Sequence, residues 1–208
     1  MSENFYDRHI LPYVLDLACG IKPVSKQRQK VVPLAHGRVL EIGIGSGLNM
    51  AHYDKSRVRK IVGLDPALQM HRLARKRIMR AGLDVELIGL SAETIPQDDA
   101  SFDTVVCTYT LCTIPDPGAA LKEMRRVLKP GGKLLFCEHG RAPDENVRRW
   151  QDRLDRVWGK ISGGCHLTRD VPALLRDARF ECHDMQTMYL PGPRPLTFNY
   201  WGIASSTM

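Results

Sequence analysis

No stretch of the 208 residues approaches the ~20 consecutive apolar side chains that a membrane-spanning helix needs, so the chain is expected to be soluble. The first eleven residues include Asp7, Arg8 and His9, which predicts no secretion signal. Cysteine occurs six times, at 19, 107, 112, 137, 165 and 182, but never as a CxxC pair. That spacing argues against a disulfide framework and against a zinc site, so no metal is expected and a reducing, cytoplasmic setting is. Aromatic residues make up only 7%, and none interrupts the densest basic run, His71 to Arg80. A nucleic-acid patch would need stacking rings beside its charge, so the run reads as a solvated helix face and nucleic acid is not an expected partner. Internal repeats, low-complexity tracts and a linker to a second domain are also missing, which leaves one domain over residues 1–208.

What is present is ordinary for a globular fold: 43% hydrophobic and 25% charged residues. A formal charge of +7 draws the chain only weakly toward anionic surfaces. Short runs rich in Val, Ile and Leu at 38–43, 58–64, 84–90, 103–109 and 132–138 read as strands. Amphipathic segments at 66–81, 117–128, 144–160 and 169–178 alternate with them or follow them and read as helices, the third capped by Asp144 and the fourth by Thr168 or Asp170. The alternation predicts βαβ units and an α/β fold, which 181–190 and 198–205 would complete. Lys129-Pro130-Gly131-Gly132 predicts a helix stop and a tight turn before the fifth strand. Ahead of the first strand, residues 1–37 form an amphipathic leader carrying Tyr6 and Tyr13, placed to close over a ligand as a lid.

The first strand runs into Glu41-Ile42-Gly43-Ile44-Gly45-Ser46-Gly47-Leu48-Asn49, with a helix expected next, so the glycines lie where parallel sheets meet their ligands. A dinucleotide fingerprint would require another glycine at 48, where Leu48 stands. The glycines permit close backbone approach, and Glu41 can face the positive charges of a bound nucleoside derivative. Asp65 ends the second strand where an acceptor for ribose hydroxyls belongs, and with Pro66 behind it the same residue could cap the next helix. Ser91-Ala92-Glu93 is a polar break able to read the edge of a base, or an ordinary loop.

Taken in order, Val39 to Gly47, Gly63 to Pro66, Ser91 to Glu93, Phe102 to Thr108 and Leu128 to Leu134 resemble the class I methyltransferase core of the type 11 family, over about residues 38–140. The resemblance implies a Rossmann-like class I methyltransferase fold, with a seven-stranded, mostly parallel sheet flanked by helices and an antiparallel last strand. It implies S-adenosylmethionine as methyl donor and S-adenosylhomocysteine as product. By the same resemblance Glu41, Gly43, Gly45, Gly47 and Asn49 belong to the glycine-loop site, Asp65 and Pro66 to the ribose, and Met70 lies beside adenine. Ser91, Ala92 and Glu93 would read the adenine edge, and Thr108 would close the cofactor site from the fourth strand. Residues 38–140 are then the cofactor-binding core, and 141–208 the acceptor-side helices and last strands.

Val105 to Cys112, Glu138-His139, Gly164 to Arg169 and Gly192-Pro193 are similar to a narrower group, the small alkyl-thiol methyltransferases. That likeness implies a small-molecule acceptor, a thiol first, with quinones, phenols, amines or a non-catalytic S-adenosylmethionine-binding module as alternatives. Tyr109, Cys112, His139 and His166 would line the acceptor site. His139 is the candidate to raise the thiolate fraction of a thiol, its other reading being a hydrogen-bonded loop anchor. Cys112, Cys165 and His166 read first as packing. The sequence specifies no oligomeric state.

Overall fold

In a computed structural model, which describes residues 5–206, seven strands form one sheet. They are β1 (Gly37–Ile42), β2 (Val58–Leu64), β3 (Val85–Ile88), β4 (Phe102–Thr108), β5 (Leu128–His139), β6 (Phe180–Tyr189) and β7 (Phe198–Ser206). Their order is β3-β2-β1-β4-β5-β7-β6, with β7 antiparallel to both neighbours and every other pairing parallel. The fold class and the antiparallel last strand are as expected. The order reverses at β1, which sits between β2 and β4, and a crevice opens beyond the carboxyl ends of strands at such a switch point.

Alternate side chains of the central strands go to opposite faces, as the two-residue period requires. Leu40, Val62, Val105 and Phe136 enter one core cluster; Val39, Ile61, Val106 and Leu135 enter the other. Burial on both faces explains why these strands read as continuous apolar runs. Over one face α5 (Pro117–Val127) packs Ala120, Leu121, Met124 and Val127, its first turn capped by the Asp116 carboxylate accepting from Ala119 N–H at 2.9 Å. The helix α4 (Leu68–Ala81) follows β2 and ends on Gly82, whose φ of +60° is the left-handed cap a glycine tolerates. Among the described residues no helix is long and apolar enough to cross a membrane.

Three expectations are corrected. No full helix follows the glycine loop: Leu48–Ala51 makes one 3₁₀ turn, because Asn49 is drawn inward to Glu41 and Thr108 and Tyr53 reaches back to Glu41. The Lys129 to Gly132 run does not separate helix from strand. Leu128 already pairs with Phe102, and the turn becomes an irregularity within β5, with Gly131 at φ +78°. Asp144 stands at the start of α6 (Glu145–Ile161) without capping it, since its carboxylate instead accepts from Tyr189 and from Arg194 at 3.1 Å. Asp170 does cap α7 (Val171–Asp177), accepting from Ala173 N–H at 3.0 Å.

The leader folds as α1 (Phe5–His9), α2 (Leu11–Gly20) and α3 (Lys22–Val31). A polar latch holds α2 down. Asp16 accepts from Ser46 Oγ at 2.5 Å and from both terminal nitrogens of Arg77, at 2.7 and 3.1 Å, while Arg77 also donates to the Ser46 carbonyl at 2.8 Å. The basic run on α4 thus contributes a structural tie as well as a solvated face.

Candidate functional site

The crevice at the switch point is a cavity of about 630 Å³, roofed by α2 and floored by the ends of β1, β2 and β4. It falls within the usual range for a small-ligand site. Leu11, Leu15, Ala18 and Cys19 of α2 line it, so the leader does cover the cavity, though through its aliphatic side. Tyr6 and Tyr13 do not line it: Tyr6 donates to the Ile161 carbonyl at 3.1 Å and Tyr13 is exposed. Residues 1–4 of the expected lid segment lie outside the described residues.

Glu41, Gly43, Gly45 and Asn49 line one end together with Asp65, Pro66 and Met70. Gly45 carries the ligand argument: at φ +51° its N–H donates to Asp65 Oδ2 at 2.8 Å. A Cβ there would stand 3.7 Å from Met70 Cε and 3.8 Å from Asp65 Oδ2, in the gap between loop and carboxylate. Gly47 does not line the cavity. A Cβ on it would come within 3.1 Å of Ala74 Cα, so its absence lets the loop pack on α4. Asp65 also accepts from Ala67 N–H at 2.8 Å, and burial raises its carboxyl despite these two donors.

Glu41 is fully enclosed, accepting from Asn49 Nδ2 at 3.0 Å and Tyr53 Oη at 2.7 Å. Burial pushes its pKa up to about 7, against those hydrogen bonds and the nearby Arg28 charge. Arg28 is the residue the sequence reading missed: it is one of many basic side chains in the leader, and no motif marks it. In the structure it is buried, borders the cavity and donates to Asn49 Oδ1 at 3.0 Å and to Thr108 Oγ1. Its Nε–H is buried and has no hydrogen-bond partner among the described residues. An anchored guanidinium at the cavity wall fits a carboxylate, and enclosed Glu41 fits a cation; together they suit an amino-acid tail beside a nucleoside.

Ser91 and Ala92 line the cavity, but Glu93 turns away to accept from Ser91 Oγ at 2.7 Å and from Asp116 N–H at 2.7 Å. Its job is to tie this loop to the start of α5.

The other end is built on the turn after β4. Tyr109 holds φ +54°, unusual for a bulky side chain, and donates to Asn199 Oδ1 at 2.6 Å. Behind the turn, fully buried Glu138 accepts from Thr110 N–H through both oxygens, at 2.9 and 3.0 Å, and burial raises its pKa to about 7. This pinning brings Tyr109 and Cys112 to the cavity beside His139, the last residue of β5. His139 Nε2 lies 3.1 Å from Cys165 Sγ, to which Trp158 Nε1 donates at 3.3 Å. The Cys112 thiol, then the His139 and Trp158 donors, hold the Cys165 thiol well below the usual range. His166 is not brought in: its Nδ1 pairs with Asp155 at 2.9 Å and the ring is partly solvated.

Residues 40–136 match the family described as Methyltransferase domain. The chain is 36% identical over 170 residues to human thiol S-methyltransferase TMT1B, an alignment covering 76% of this chain and 69% of that protein. The rat protein of the same name is 35% identical over 159 residues, and the chain spans a little under two thirds of its length, 64%. A phosphatidylethanolamine N-methyltransferase of Cereibacter sphaeroides is 34% identical over 183 residues, covering 86% of this chain and 88% of that one. Among solved structures, a SAM-dependent methyltransferase of Methanosarcina mazei superposes with a TM-score of 0.65 at 26% identity, over 82% of this chain and 92% of its own.

Proposed function

The chain belongs to the S-adenosylmethionine-dependent methyltransferases, and from that premise we propose that it methylates a small thiol held between Tyr109, Cys112 and His139. The observation that carries this reading is the acceptor end itself: an apolar, enclosed space in which the soft polar atoms of Cys112, His139 and Cys165 converge beside the donor site. Such a space selects a small, polarisable nucleophile and has little room for a polymer.

Bound S-adenosylmethionine supplies an activated methyl on a sulfonium. The protein's part is to hold, align and desolvate. Arg28 receives the carboxylate of the methionine end, Glu41 offers negative charge to its cationic groups, and Asp65 with the Gly45 cradle receives the ribose. Ser91 and Ala92 border the base. The helix α2 keeps water out from above through Leu11 and Leu15. At the acceptor end His139 favours the anionic form of the incoming sulfur, which is the nucleophilic form. Four of the six free cysteines are buried thiols, which fits a reducing compartment such as the cytoplasm.

Incubation of the purified chain with methyl-labelled donor and a panel of alkyl thiols, phenols and amines tests the reading. Labelled thioether is the expected product. Label confined to phenols or amines would overturn the thiol acceptor, and donor binding without label transfer to any acceptor would mark a binding module. His139→Ala should lower thiol turnover across about pH 6 to about 9, whereas unchanged turnover would leave His139 as a loop anchor.

A further inference from the structure

We propose that Cys112, His139 and Cys165 bind a zinc ion at the acceptor end of the cavity, leaving the fourth position for the sulfur of the incoming thiol. Chain spacing conceals this set, since its members come from three places: the turn after β4, the end of β5 and the loop after α6. The fold brings two sulfurs and one ring nitrogen within 4.8 Å of one another. Zinc bonds of about 2.3 Å to sulfur and about 2.0 Å to nitrogen put tetrahedral ligand atoms roughly 3.5–3.8 Å apart. Closing the cluster onto an ion is therefore a small side-chain adjustment.

The donor chemistry chooses the ion. Two thiolates with one imidazole are soft ligands that suit zinc and exclude magnesium or calcium, and three protein ligands make a site with an open position. All three residues line the cavity, so the open position faces the space where the acceptor enters. The site is also preformed. His166 N–H donates to the Cys112 carbonyl at 2.9 Å, which ties together the two loops that carry the cysteines. Asp155 accepts from Leu167 N–H at 2.6 Å and pins the same loop, and the Trp158 N–H on Cys165 Sγ is the outer-shell donor a metal thiolate takes.

The ion makes chemical sense there because two thiolates and a neutral imidazole carry two negative charges, which one dication cancels inside an apolar space. An acceptor R–SH gives its proton to solvent on taking the fourth position, where His139 favours the anionic sulfur through the ion it holds and not by direct contact. Its sulfur lone pair then forms the new bond to the methyl carbon as the donor's bond from that carbon to sulfur breaks, the breaking pair staying on the departing sulfur. The product is an uncharged thioether, a poorer ligand than the thiolate, and it leaves. This last step rests on a thiol being the acceptor; the three-residue site does not.

Cobalt(II) titration of the metal-free chain, reduced with a phosphine, tests the site by absorption spectroscopy without reference to activity. One cobalt per chain, with a thiolate-to-cobalt charge-transfer band and intense tetrahedral d–d bands, is expected. Cys112→Ser and Cys165→Ser should each cut the charge-transfer intensity by about half, and His139→Gln should shift the d–d bands; Cys182→Ser, on β6, should change neither. Calorimetric donor binding by each variant checks that it is folded. Weak octahedral bands, or charge transfer undiminished in both cysteine variants, would overturn the proposal. Bands with no thiol methylated would remove the thiol acceptor and leave the site standing. Thiol turnover by metal-free enzyme equal to that of zinc-loaded enzyme would remove the ion's part in the transfer and leave the thiol acceptor.

Discussion

Burial decides what single side chains can do in this cavity. Glu41 is enclosed by Asn49, Tyr53 and the nearby Arg28, and its pKa near 7 means that part of the population is neutral in the free protein at neutral pH. A cationic ligand favours the carboxylate, so binding releases a proton, and affinity for S-adenosylmethionine should rise with pH through about 7, by at most about tenfold per unit. Calorimetry in buffers of different ionisation heat reads that proton, and Glu41→Gln should abolish both the release and the slope. Arg28 acts on the other charge of the ligand. Losing one charge-assisted hydrogen bond costs about 1.5–3 kcal/mol, so Arg28→Met should weaken S-adenosylmethionine binding by roughly ten- to a hundredfold. Methylthioadenosine, which lacks the amino-acid end, should bind that variant as it binds the parent; an equal loss for both ligands would show that Arg28 only holds Asn49 and Thr108 in place.

At the scale of elements, α2 is the part that separates a covered cavity from an open crevice. Its hold depends on few atoms: Asp16 bridges Ser46 of the glycine loop and Arg77 of α4, while Leu11 and Leu15 supply the apolar underside. Asp16→Ala removes the bridge and should lower donor affinity by about three- to tenfold, the size of one or two partly exposed polar contacts. It should also make the 11–31 region more susceptible to limited proteolysis, a loss that saturating donor would reverse. Unchanged proteolysis would show that apolar packing alone seats the helix. The turn after β4 is the opposite case, rigid by construction. Glu138 fastens it from behind and Tyr109 accepts a left-handed backbone, so this end of the cavity is held by the fold itself.

For the molecule as a whole, the ion network at the amino-terminal edge of the sheet contributes to stability in acid. Burial works against the charge on Asp103, but Lys129, the Arg38 N–H and Arg59 outweigh it and hold its carboxyl down to about 2 from an ordinary 3.8. A depressed folded-state pKa stabilises the fold fully above the unfolded value, and that share is lost as pH falls from near 3.8 through about 2. Asp103→Asn should therefore lower the melting temperature at neutral pH and flatten its fall over the acid interval. An unchanged melting temperature at pH 7 would show that the ion pairs there contribute nothing net.

Much of this was legible in the chain because it is local. Strands buried on both faces must be apolar throughout, and the strands ending at Ile42, Leu64 and Thr108 were placed within a residue at their carboxyl ends, where ligands bind. The glycine loop and Asp65 could be identified because close backbone approach demands glycine and a strand end demands little else. What depended on distant pairing was not legible. Arg28 is one basic residue among many until α3 turns it inward, and the Lys129 to Gly132 run reads as a stop until Phe102 draws Leu128 into the sheet. Cysteine spacing pointed away from a metal, yet a turn, a strand end and a loop bring Cys112, His139 and Cys165 together. The sequence by itself determined the run of strands, through periodicity and short-range backbone requirements, and its ordered motifs carried the resemblance that gave the family and the donor. Only the tertiary structure decided which side chains meet at the Cys112, His139 and Cys165 end of the cavity, because those contacts depend on how separate segments are pinned by Glu138 and Asp155 and not on any neighbour in the chain.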